Sequence, residues 1–489
     1  MNSEKGPKSF SGRKYEISLL EEEHQKTLSR ASFIVLYGRR RVGKTRLITE
    51  FYKDKNLWRF DGIEGQPKTA QIQNILDQTA LYSGDDFYKS LKCRTWIELL
   101  KALDRAVSLS KSKYNKTIFL DELPYMAGRQ SELVSAIKWA WDNLWQDKKG
   151  FTLVLCGSIA SYMIKKVVKS SSLYGRIKLE ILLNPLSVPE VSEFFGGKKA
   201  LKEICDLYMF CGGIPEYLLQ MDFHVSVSKN IARHALCKDG YFVGEFDRIF
   251  KDIFKEEKIY KKIILLLSRY KSLKIPEMTD LLGRTGGGGF VGFLENLESA
   301  GFIKSVAPFD RPEDSKLKRY RLDDEYLLFY FKFIYPNLKK IRENTDLNRA
   351  LSLLTGHSYK SWAGFAFERL CLKHAGQLMK HLKMDQLVKN YGAYFDRRSN
   401  IKEGVQIDLL FERHDPVVTV CEMKYYDGLV GKWIIEDVEK KISLLGETKK
   451  TVEKVLVTTN GITEDLKLSN YFSHVVLIDE LFASNHWPL

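Results

Sequence analysis

The segment Gly38-Arg39-Arg40-Arg41-Val42-Gly43-Lys44-Thr45 constrains the fold more than any other stretch of the chain. It fits the spacing G-x-x-x-x-G-K-[ST], in which the glycines let the backbone curl so that successive N–H groups point at phosphate oxygens. The apolar run Phe33 to Tyr37 before it predicts a buried parallel strand. After it, Leu47, Ile48 and Phe51 recur on one face of a predicted helix. Strand, glycine loop and helix N-terminus together make a cradle for an anion. The N–H groups of Arg39, Arg40, Arg41 and Val42 complete that cradle. Lys44 supplies a point charge at the β/γ-phosphates of ATP, and the Thr45 hydroxyl a ligand for Mg²⁺.

A chain of 489 residues exceeds one ordinary core and predicts two to four domains. With 44% hydrophobic and 28% charged residues it has the composition of a soluble globular protein. No apolar run approaches the ~20 residues of a membrane helix, so no membrane partner is expected. The N-terminal residues lack the apolar centre of a secretory signal. Seven cysteines, scattered without a C-x-x-C pair, suggest neither a disulfide framework nor a zinc site. The expected compartment is the cytoplasm. A net charge of +15 favours polyanionic partners, nucleic acid first.

A second apolar run, Thr117 to Leu120, ends in Asp121-Glu122, as a Walker B strand beside a phosphate loop does. Asp121 is the expected Mg²⁺ holder, and Glu122 the group that polarises the water attacking the γ-phosphate. A third strand, Phe151 to Cys156, ends in Gly157-Ser158. Ser158 there suits a γ-phosphate sensor or a helix cap equally. Arg176, after a serine-rich loop, suits an arginine finger or sensor as well as a solvated side chain.

These motifs resemble the archaeal-type ATPases of the AAA+/STAND group. The matching residues are Phe10 to Glu16, the phosphate loop, Phe119 to Pro124, Leu155 to Ser158, Leu173 to Arg176 and Cys211 to Leu218. The resemblance implies that the segment around Gly12-Arg13 lies near the adenine. It implies that Pro215, in Gly213-Ile-Pro215, packs on the base from a helical lid. It also implies a slow ATPase in which nucleotide acts as a conformational latch.

Between Glu256 and Leu328 the pattern changes to three short helices followed by a two-stranded ribbon, a winged helix. Lys304, Lys316, Lys318, Arg319 and Arg321 make the expected wing basic, suited either to DNA phosphates or to plain solvation. The aromatic run from Tyr326 to Tyr335 has the helical spacing of a core or domain interface.

The last part of the chain carries the second chemical clue. Asp408 stands inside an apolar strand, and the next strand carries Glu422 and Lys424 two residues apart, hence on one face. Glu368 lies on a preceding helix pattern. This arrangement resembles the PD-(D/E)xK nucleases of the restriction-endonuclease-like fold, although no proline precedes Asp408. The resemblance implies that Asp408 and Glu422 hold Mg²⁺ or Mn²⁺, while Lys424 and Glu368 assist phosphodiester cleavage. A docking platform that keeps the acids without turning over is the alternative. The expected architecture is α/β: a P-loop NTPase parallel sheet in residues 1–186 and a helical lid in 187–254. A winged helix and linker follow in 255–345, then an α/β nuclease-like domain in 346–489. The function expected of the whole is an ATP-regulated, DNA-directed machine. A switch for a protein partner and a DNA-binding regulator without cleavage are the competing readings.

Overall fold

The computed structural model describes residues 10–110, 116–128, 132–253, 257–284, 287–309, 311–312, 315, 317–395, 406–445 and 449–483. Five strands near the N-terminus alternate with helices: β1 (Ser32–Tyr37), β2 (Asn56–Asp61), β3 (Lys116–Asp121), β4 (Phe151–Gly157) and β5 (Leu179–Leu182). They pair in the order β2-β3-β4-β1-β5, all parallel. A parallel sheet must be covered on both faces, and the period-2 alternation divides its side chains accordingly. Phe33 and Val35 join Ile118, Leu120, Leu153 and Leu155 in one apolar cluster. Ile34 and Leu36 join Phe119, Val154 and Cys156 in the other.

After β5 the chain becomes helical. The helices Val188–Phe194, Leu201–Cys211, Pro215–Leu218 and Val227–Ala235 form the lid. Then come three helices, Glu257–Leu267, Ile275–Leu281 and Gly288–Ser299, and the antiparallel pair β6 (Ile303–Val306) and β7 (Arg319–Leu322). This is the winged-helix arrangement. Only part of its charge is displayed, because two of its arginines are engaged inside the chain and Lys304 stays exposed. Arg319 Nη2 donates to Ser272 O at 2.9 Å and to Glu277 Oε2 at 3.0 Å, and Arg321 lies 3.4 Å from Asp323. Lys316 lies outside the described residues. The third helix carries no lysine or arginine, and its Glu295 pairs with Lys165 of the ATPase half at 2.7 Å.

The C-terminal sheet contains β8 (Val388–Phe395), β9 (Gln406–Arg413), β10 (Val417–Lys424), β11 (Thr451–Thr458) and β12 (His474–Leu477). Their order is β12-β11-β10-β9-β8. The pairs β8/β9 and β9/β10 are antiparallel, whereas β10/β11 and β11/β12 are parallel. Helix His357–Lys373 precedes this sheet, and helix Ile434–Ile442 supplies the crossover between β10 and β11.

Lid, winged helix and C-terminal sheet are not separate beads. One apolar cluster runs from Leu186 through Phe210, Phe302, Phe329 and Trp362 to Leu409, Cys421 and Phe482. The aromatic run is its centre, with Tyr326, Phe329 and Tyr330 buried. The lid also contacts the end of β10 directly: Lys202 Nζ donates to Tyr425 Oη at 2.9 Å, and Tyr425 Oη bonds Asp206.

Candidate functional site

The phosphate loop leaves the C-terminal end of β1 and feeds helix Lys44–Phe51, with Gly43 as its N-cap residue. Gly38 has φ 148°, and a Cβ there would stand 2.4 Å from Leu183 O, so the loop can curl only with glycine at this position. Lys44 folds over the curl and donates to the carbonyls of Gly38 at 3.0 Å and Arg39 at 2.8 Å. Thr45 Oγ1 donates to Asp121 Oδ2 at 2.7 Å, which brings together the hydroxyl and the carboxylate that a Mg²⁺ ion would use. Ser158 donates twice to Glu122 Oε2, from its hydroxyl at 2.8 Å and from its N–H at 3.1 Å.

Backbone strain concentrates here. Of the five non-glycine residues with positive φ among those described, three belong to this region: Arg41 in the loop, Glu122 directly after β3, and Arg13 bonded to Val42 of the loop. Arg13 is buried, donates to Val42 O at 2.9 Å from its guanidinium, and donates its N–H to Glu190 Oε1 at 2.6 Å. It thus ties the N-terminal segment to both loop and lid. Pro215 Cγ lies 3.8 Å from the position a Cβ on Gly43 would take, so the lid proline does stand over the loop. Buried Nη2 of Arg39 has no hydrogen-bond partner, an orphaned cationic donor beside the loop. Loop curl, lysine, hydroxyl and acid all fit Mg·ATP, whose metal would supply charge neutralisation between the phosphates.

The loop arginines have a use the sequence did not reveal. Arg39 pairs with buried Asp324, and its guanidinium lies over the Phe302 ring at 4.7 Å. Arg41 pairs with Glu245, which is fully buried in the lid region. The run Asp323-Asp324-Glu325 before the aromatic segment was the available signal. Arg59 was a further signal, a cation between Trp58 and Phe60 in β2, and it stands 3.2 Å from Asp121 Oδ2.

Arg176 is not at this site. It pairs bidentately with Asp142 (2.6 and 2.8 Å), two residues before Lys178 donates its N–H to Phe33 O. Phe33 is the second residue of β1, whereas the phosphate loop leaves beyond its other end at Tyr37. The sequence distance suggested a finger, but the parallel crossover returns Arg176 to the opposite edge of the sheet. Within its own chain it has no access to the phosphates.

In the C-terminal domain, Asp408 and Glu422 converge from β9 and β10. Lys441, on the crossover helix, joins them: its Nζ donates to Asp408 Oδ1 at 3.0 Å and to Glu422 Oε2 at 2.6 Å. Lys424 flanks the other Glu422 oxygen at 3.2 Å. Burial, followed by the neighbouring Glu422 charge, raises the Asp408 carboxyl above its ordinary range. Glu368 is raised to about 7 by burial and then by the Asp408 charge. Lys271 of the winged helix bonds Gln406 at the start of β9, and burial lowers its pKa. Among the described residues no group of three His, Cys, Asp or Glu side chains is arranged to hold a metal ion. The cation the two carboxylates share is Lys441, which sequence reasoning missed because Glu439-Lys440-Lys441 looks like an ordinary solvated helix face.

Residues 10–221 match a family profile described as an ATPase domain predominantly from Archaea. Residues 330–443 match a second profile, archaeal and bacterial proteins of unknown function. An uncharacterized protein of Methanocaldococcus jannaschii is 27% identical over 446 residues, covering 89% of this chain and 92% of that protein. An uncharacterized ATP-binding protein of the same organism is 46% identical over 50 residues, 10% of this chain and 81% of that one. Among solved structures, the Walker-type ATPase PABY2304 of Pyrococcus abyssi superposes with a TM-score of 0.50 at 17% identity. That match covers 68% of this chain and 99% of the other. No described helix is long and apolar enough to cross a membrane. With its phosphate loop, the acids after β3 and its parallel sheet, the N-terminal part of this protein has the P-loop NTPase fold and is similar in sequence to the archaeal ATPase domain family.

Proposed function

We propose that this is an AAA+/STAND-type ATPase whose nucleotide state is transmitted to a DNA-directed, metal-dependent nuclease-like domain. The observation that carries the link is the acidic run Asp323-Asp324-Glu325. Asp324 pairs with Arg39 of the phosphate loop. Asp323 and Glu325, on either side, both pair with Lys373 of helix His357–Lys373. The same helix carries Glu368, whose carboxyl lies in the field of Asp408 and Glu422. Arg369, next to it, is a buried guanidinium in the field of Glu325 and Asp323. Three consecutive acids therefore join the loop that binds triphosphate to the helix that borders the second acidic pocket, a contiguous charged route between two sites.

Within the pocket, Thr45 and Asp121 hold Mg²⁺ and Glu122 orients water, with Ser158 fixing the Glu122 carboxylate. In the C-terminal domain, the mixed sheet flanked by helices His357–Lys373 and Ile434–Ile442 supports the PD-(D/E)xK reading. Asp408 and Glu422 are then the ligands of Mg²⁺ or Mn²⁺ once Lys441 moves aside. The test is nicking or cutting of DNA under Mg²⁺ or Mn²⁺. Asp408→Ala and Lys424→Ala are expected to abolish it while ATP binding survives. Intact single- and double-stranded DNA and RNA under both metals, with and without ATP, would remove the nuclease reading.

A second reading, a nucleotide-operated switch for a protein partner, is favoured by Lys441 itself. It neutralises the carboxylates from within the chain, as a structural ion triad does. The DNA-binding regulator loses support because Arg319 and Arg321 of the wing are engaged inside the chain and the third helix lacks basic residues.

A further inference from the structure

The inner edge of the nucleotide pocket holds an arginine that none of the motifs includes. Arg59 lies on β2, one of the two edge strands, two residues before Asp61, and the register sets Asp61 opposite Asp121 of β3. By the two-residue period, Arg59 and Asp61 share one face of the sheet. The Arg59 Nη2 group reaches two acids at once, Asp61 Oδ1 at 2.5 Å and Asp121 Oδ2 at 3.2 Å. Its Nε is buried and has no hydrogen-bond partner. The backbone around it is fixed on both sides: Tyr82 Oη bonds the Arg59 N–H and carbonyl, each at 3.1 Å, and Gly62 N–H donates to Asp121 O at 2.9 Å.

Asp121 Oδ2 is also the oxygen that accepts the Thr45 hydroxyl. It is therefore the oxygen on the side where Thr45 and Asp121 would share a Mg²⁺ ion. A guanidinium on that oxygen takes one of its lone pairs and repels a divalent cation brought beside it.

We propose that Arg59 is a positioning residue that competes with Mg²⁺ for Asp121, so that metal loading requires the guanidinium to withdraw onto Asp61. Arg59 thereby sets how much Mg²⁺ the pocket needs. Two charges oppose each other in this device. Asp121 pulls the guanidinium into the metal position, and Asp61, half exposed, holds it back. Removing either holder shifts the balance in an opposite and foreseeable direction. The arrangement also supplies within one chain a cation close to the phosphate chemistry, a place that Arg176 does not occupy.

The experiment is a Mg²⁺ titration of a fluorescent ATP analogue bound to the full-length protein, followed by anisotropy at fixed nucleotide. Arg59→Ala is expected to lower the half-saturating Mg²⁺ concentration by about twofold to fivefold, the scale of a partly exposed ion pair. Without metal, in EDTA, the same variant is expected to bind the analogue more weakly than wild type, because a cation facing a tetra-anion is gone. Asp61→Asn is expected to raise the Mg²⁺ midpoint, since it frees Arg59 to remain on Asp121. A merely structural role for Arg59 would weaken binding alike with and without metal, and this outcome overturns the proposal. An unchanged or raised midpoint in Arg59→Ala, or an unmoved one in Asp61→Asn, overturns it too. Lys44→Ala run in parallel, with its loss of binding in every condition, keeps the nucleotide site itself independent of the result.

Discussion

Adjacent acids divide the work in the nucleotide pocket, and the division follows from their hydrogen bonds. Asp121 faces Thr45, where the proposed Mg²⁺ would sit, whereas Glu122, with its left-handed backbone, faces Ser158. Glu122→Gln is expected to leave nucleotide affinity nearly intact and to lower kcat for ATP by about a hundredfold or more, as loss of a general base does. Steady-state phosphate release with a parallel binding titration checks this. Ser158→Ala, which frees the Glu122 carboxylate, is expected to cost about tenfold in kcat with little change in KM. In the second pocket, the raised Glu368 carboxyl gives a pH prediction. Its folded value of about 7 lies above the ordinary 4.5. The stability it contributes is therefore full below pH 4.5 and is lost as pH rises through 7. Glu368→Gln is expected to raise the melting temperature at pH 8 and to leave it nearly unchanged at pH 4.5, read by thermal melts.

Single contacts decide how the elements join. The strap between β5 and the lid passes so close to Gly213 that a Cβ there would lie 1.8 Å from Leu186 O, while Leu186 N–H donates to Gly213 O at 2.7 Å. Gly213→Ala is expected to destabilise the protein by about 2–4 kcal/mol, because backbone rather than a flexible side chain must move. Asp324 has two tasks at the start of helix Glu325–Phe329: its Oδ1 accepts from Leu327 N–H at 2.7 Å, and its Oδ2 pairs with Arg39. Asp324→Ala removes the cap and leaves Arg39 buried without its anion. An expected loss of about 3–5 kcal/mol in urea denaturation follows from the stranded charge.

At the scale of the whole molecule, the continuous apolar cluster argues against a C-terminal domain that is tethered and released as a unit. The lid helix Leu201–Cys211 buries Cys205 and Tyr208 in that cluster, and Tyr208 meets the buried His374 ring edge-on at 5.5 Å. On the proposed function, nucleotide-driven change would be carried by small shifts of ion pairs across this core rather than by detachment. A fragment ending at residue 345 is expected to aggregate rather than behave as a free ATPase, because it exposes the lid's apolar face. Solubility and size-exclusion chromatography of that fragment beside the full chain check this.

Much of the fold was legible because local signals agreed with it. The phosphate loop, the apolar strands ending in acids and the three-helix-plus-ribbon rhythm each depend on neighbours within a few residues. Glycine spacing and side-chain period are properties of the chain itself, so they survive in the sequence. The pairings that join the parts were not legible. Arg39 with Asp324, Arg59 with Asp121, and Lys441 with Asp408 and Glu422 link residues whose separation in the chain carries no information about their meeting. Arg176 illustrates the same limit from the other side: its spacing suited the phosphates, and the crossover between strands took it to the far edge of the sheet. The sequence by itself determined which chemistry the N-terminal part can perform, because that chemistry is written in one loop and one strand end. Only the tertiary structure decided which charges face one another, because a side chain's electrostatic partners depend on the packing of whole elements and on the low-dielectric interior that packing creates.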